Sequence, residues 1–150
     1  MKYTFGIKRK LDEYEEIRRA KAVQHGLYLI VLLLLGKGIL LQSEIELVDA
    51  KYADFVIVIL IITMCSIEMI VKDVFPMELE KQKMLFYPVG VFGIVFLVYA
   101  MYERVKYEIQ FTRKGVINEY GVILLYGASF FSLFLVYVIK QKMEAKKEEE

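Results

Sequence analysis

Residues Tyr52–Val71, YADFVIVILIITMCSIEMIV, form a mostly apolar stretch interrupted by two carboxylates, Asp54 near its start and Glu68 near its end. Its twenty residues make a helix of about 30 Å, the thickness of a bilayer's hydrocarbon core. A helix apolar on every face is buried in a large core or in lipid. At 150 residues the chain is one domain, with little room for such a core. Lipid is therefore the solvent to reason from, and the rest of the sequence agrees. Three further runs have similar character: Ala22–Leu41, Leu85–Met101 and Tyr120–Ile139.

Apolar residues make up 57% of the chain, above the roughly 45–50% of soluble domains. The charges gather in tails and loops. The fold expected is all-α: an integral membrane four-helix bundle with spans at about 22–41, 52–71, 85–101 and 120–139. Residues 1–21 form a charged cytoplasmic juxtamembrane segment and 140–150 a charged tail expected to fray. The net charge of +1 gives no sign of a nucleic-acid surface. The single cysteine, Cys65, excludes a disulfide within the chain and is read as a small packing residue.

Residues 1–21 hold eleven charges, too many for the basic leader of a signal peptide, so the first span is expected to be retained. Asp12, Glu13, Glu15 and Glu16 precede Arg18, Arg19 and Lys21, the polarity a helix dipole favours. Leu11, Tyr14, Ile17 and Ala20 recur at three-residue steps. Residues 10–21 read either as a helix lying at the membrane surface or as a solvated extension of the first span.

Pro76 breaks the loop between spans two and three. Pro88 is placed in the first turn of span three, where its missing N–H does little harm. Phe86, Tyr87, Tyr99 and Tyr102 are read as interfacial aromatics. Residues 103–119 are ambiguous. Val105, Tyr107, Ile109 and Phe111 alternate with polar residues as in a strand, and Gly115 suits a hairpin turn. A helical continuation of span three, stacking Met101, Val105 and Ile109, is the preferred reading.

Lysine and arginine set the orientation. Fourteen fall on the side of the two tails and the 72–84 loop, and five in the two opposite loops. Both termini are therefore expected in the cytoplasm, with the chain a multi-pass protein of the cell membrane.

The sequence offers little chemistry. One histidine, no G-x-S-x-G elbow and no H-E-x-x-H motif leave no nucleophile–base or zinc framework. Gly36-Lys37-Gly38 lacks the flanking residues of a phosphate loop. No catalytic, cofactor-binding or metal-ligating residue is assigned, and no enzyme activity is expected. The informative residues are the polar ones within the spans: Lys37, Asp54, Glu68 and His25. Charge within a bilayer is costly and marks either function or a local partner. Glu68 reads either as a proton or cation relay or as an interfacial carboxylate held by a neighbour. Lys37 can snorkel outward, and Asp54 can start its helix.

Asp54 and Glu68 are fourteen residues apart, four turns less about 40°, and so share one face of span two with Ile61 and Cys65 between them. Antiparallel packing of spans one and two then predicts two pairs, Lys37 with Asp54 at the outer end and His25 with Glu68 at the inner. Lys37 and His25 lie about 120° apart on span one, so one pair can fail, and the longer reach of lysine favours Lys37–Asp54. A separate cluster of small residues, Gly127, Ala128 and Ser132, predicts the closest helix contact.

Asp12-Glu13-Tyr14-Glu15, followed by Ile17, Arg18-Arg19 and Ala20-Lys21-Ala22 and then by four spans, resembles a group of uncharacterised small membrane proteins, mostly of Gram-positive bacteria. Tyr14 stands where that motif often has a basic residue, and the likeness is strongest over residues 10–41. The resemblance implies a membrane location and no established activity. The small multidrug exporters also have four spans, but they carry a glutamate in the middle of the first, which this chain lacks. The function expected is an accessory, anchoring or regulatory subunit. Its partners would be the lipid bilayer, another membrane or cytoplasmic protein, or a second copy, with no nucleic acid and no cofactor. The alternative is a small transporter or channel component using the intramembrane carboxylates.

Overall fold

The structure, a computed structural model, describes residues 12–75, 77 and 79–148. Four helices carry the fold: α1 (Glu13–Gln42), α2 (Ala50–Val71), α3 (Leu79–Tyr107) and α4 (Glu119–Glu148). All four are long and apolar enough to cross a membrane, and together they form an all-α four-helix bundle. A short antiparallel hairpin, β1 (Thr112–Arg113) and β2 (Val116–Ile117), joins α3 to α4. Pro76 and the basic residues Lys2, Lys8, Arg9 and Lys10 lie outside the described residues.

The helices pack as a row, α1 on α2, α2 on α4 and α4 on α3. Neighbours α1–α2 and α3–α4 run antiparallel. The central pair runs parallel: Tyr52 Oη donates to Glu119 Oε2 (3.4 Å) at one end, and Lys140 Nζ donates to the Val71 carbonyl (3.3 Å) at the other. The end holding the α1–α2 linker and the hairpin is called the outer end here, and the opposite one the inner end. Burial follows the row. In the most apolar stretch of each helix, 6% of residues are buried in α1 and 28% in α4.

The core sits at the inner end, where Ile70 of α2 and Phe86 of α3 meet Leu133 and Tyr137 of α4. Phe86 stacks on Tyr137 at 4.8 Å and meets Phe75 edge-on at 5.1 Å. Phe86 is 2% exposed, so it is a core residue and not the interfacial aromatic expected. Tyr87, Tyr99 and Tyr102 are exposed, as an interfacial belt requires.

Helix ends explain most departures from the expected boundaries. α1 is one continuous helix of 30 residues, so residues 13–21 extend the span instead of forming a separate surface helix. Asp12 starts it. Its carboxylate accepts the Glu15 N–H (2.7 Å), and Glu15 accepts the Asp12 N–H (3.1 Å), a capping box that satisfies two orphan donors. α1 and α2 both end in Schellman turns. Ile45 N–H reaches the Leu40 carbonyl, and Val74 N–H the Met69 carbonyl. The left-handed residue in each is acidic, Glu44 (φ 57) and Asp73 (φ 55), where glycine is usual.

α3 starts at Leu79, so Pro88 lies within the helix instead of in its first turn, and the bond to the Met84 carbonyl is lost. At the other end α3 stops at Tyr107, followed by Glu108 with φ 54. The expected continuation through Ile109 therefore fails. A hairpin forms instead, with Lys114 (φ 54) and Gly115 (φ 84) at its tip, both left-handed as a two-residue type I′ turn demands. α4 runs to Glu148, where fraying from residue 140 was expected. Lys140 pairs with Glu144 at 3.2 Å, and Gln141 bonds Tyr137 Oη at 2.6 Å, both one turn apart.

The outer end is tied by backbone bonds. Ile117 N–H donates to the Leu47 carbonyl (2.9 Å), and Asp49 N–H to the Ile117 carbonyl (3.0 Å), which lays the linker beside β2. Asn118 caps α4, accepting from Tyr120 and Gly121 N–H, and donates to the Gln110 carbonyl. Gly121 must be small, since a Cβ there would lie 2.4 Å from the Phe111 carbonyl oxygen.

Candidate functional site: the charged seam between α1 and α2

Only two residues of α1 are buried, Ala22 and Gly26. They are one turn apart and meet the face of α2 that carries Ile61 and Cys65. A Cβ on Gly26 would lie 2.2 Å from Cys65 Sγ, so the missing side chain makes room for Cys65 here. Cys65 Sγ also points at the Ala22 carbonyl, 3.9 Å away. A small pair spaced i, i+4 permits such an approach.

The polar residues follow from that register. Moving from Gly26 to Lys37 is eleven residues forward in α1, and from Cys65 to Asp54 eleven residues back in α2. Eleven residues is three turns and about 20°, so the facing surface is preserved. Lys37 Nζ accordingly donates to Asp54 Oδ1 at 2.5 Å. At the inner end His25 Nδ1 lies 2.8 Å from Glu68 Oε1. An ionised carboxylate only accepts, so the imidazole presents Nδ1–H to it. Lys72, one turn beyond Glu68, donates to the same oxygen. The structure thus brings together all four polar residues singled out in the sequence, as two pairs, and adds Lys72 as a third partner at the inner end.

The two pairs differ in surroundings. The Glu68 side chain is 24% exposed and Asp54 is 68% exposed. Desolvation offsets less of the attraction where water or headgroups reach the pair. Each acid has a cation from its own chain, so neither spans the bilayer as an uncompensated charge. Among the described residues no group of three or more metal-ligating side chains occurs.

The second predicted feature is corrected in part. Gly127 is buried, but Ala128 is exposed and faces away from the bundle. Ser132 is half-buried and spends its hydroxyl on the Ser129 carbonyl (2.8 Å). The close contact is instead glycine on glycine. Cβ atoms added at Gly93 and Gly127 would each lie 3.1 Å from the other's carbonyl oxygen, and the one at Gly93 would be 2.7 Å from Phe131 N. Gly90 gives room to Phe134 in the same way. Sequence reasoning passed over Ala22–Gly26 and Gly90/Gly93, although their small-residue spacing was visible. Asp12-x-x-Glu15 was likewise a readable capping box, within the residues on which the family resemblance rests. Comparison with protein-family models, with curated proteins and with solved structures finds no match for this chain.

Proposed function

We propose that this membrane protein is an accessory or anchoring subunit that acts through protein–protein contacts of its helices and has no enzymatic activity of its own. The observation that carries this reading is the state of the intramembrane carboxylates. Glu68 is held by His25 and Lys72, and Asp54 by Lys37. The His25–Glu68 and Lys37–Asp54 pairs both bridge α1 and α2, so the carboxylates fasten one helix to the other, and polar contacts of this kind hold membrane helices together. The peripheral position of α1 supports the same reading, because its outward face is apolar along its length, with Leu27, Val31 and Leu35 exposed. Location in the cell membrane with both termini cytoplasmic is part of the proposal and rests on the distribution of lysine and arginine.

Two measurements test it. A photo-crosslinking residue at Leu35 on α1 is expected to give one discrete protein adduct in native membranes, and the same residue at Val98 on α3 none. Purified protein in liposomes is expected to carry no proton or substrate flux. Flux that Glu68→Gln abolishes would make the protein a transporter. For orientation, Ser43→Cys in a Cys65→Ala background should react with impermeant reagent from outside the cell. Reaction only from the cytoplasmic side would invert the topology.

A further inference from the structure

We draw no further inference here: the strongest candidate, the apolar slot of about 450 Å³ between α1 and α2 beside Gly36, carries nothing, because nothing in the structure shows what covers it and the polar hollow that shares Glu46 with it is lined by as many acids as bases.

Discussion

The bundle has two antiparallel helix pairs built by different means. α3 and α4 meet backbone to backbone at Gly93 and Gly127, and aromatic rings pack along the rest of their contact, Phe86 on Tyr137 and Phe96 near Phe130 at 6.1 Å. α1 and α2 meet closely only at Ala22 and Gly26, and polar pairs hold them on either side of that point. Lipid tails are as apolar as leucine, so association within a membrane depends on close packing and on polar contacts. The first pair uses mainly packing and the second mainly polar contacts. Packing around fixed backbones has one arrangement. Polar pairs near the bilayer surface can exchange partners with water and headgroups at modest cost.

Substitutions that break this comparison should differ in size. The largest effect is expected from Gly93→Leu. Its side chain would be driven into the backbone of Phe131, and overpacking that cannot relax should cost about 3 kcal/mol, read as a lowered Tm in detergent. Glu68→Ala is next. It leaves His25 and Lys72 without their shared acceptor, and should cost about 1–2 kcal/mol, since the site is partly exposed. The outer pair is weaker. A double-mutant cycle of Lys37→Met with Asp54→Asn should return a coupling of about 0.6 kcal/mol, the average for polar contacts between membrane helices. Strict additivity would mean that this pair contributes nothing to the seam. The smallest effect belongs to Ala128→Leu. That residue faces outward, and its substitution should shift stability by less than about 0.5 kcal/mol. A large loss there would place the seam where the sequence first suggested it.

Why some of this was readable in advance and some was not has a physical explanation. The four helices follow from the apolar runs, and fourteen residues between Asp54 and Glu68 keep both acids on one face of α2. The twelve between His25 and Lys37 leave those two about 120° apart on α1, so periodicity alone did not fix that both pairs form. The helix ends do not follow from apolar runs. α3 begins six residues before the apolar stretch and continues six beyond it, because helical hydrogen bonding does not stop where lipid does. Gly93 was passed over in favour of Ala128 because small size shows in the sequence, whereas the rotation of α4 about its axis depends on its neighbours. The pairing of the linker with β2 through Leu47, Asp49 and Ile117 joins segments about seventy residues apart, with no local signal.

The central claim is that charges hold α1 to α2, whereas packing holds α3 to α4. Spin-label distance measurements in nanodiscs test it most directly, using a Cys65→Ala background with labels at Leu41 and Val58 on α1 and α2, and at Val98 and Leu135 on α3 and α4. Combining Lys37→Met with Glu68→Gln should broaden the α1–α2 distance distribution by several ångströms and leave the α3–α4 distribution unchanged. An α1–α2 distribution that stays as narrow as in the natural chain would contradict the account.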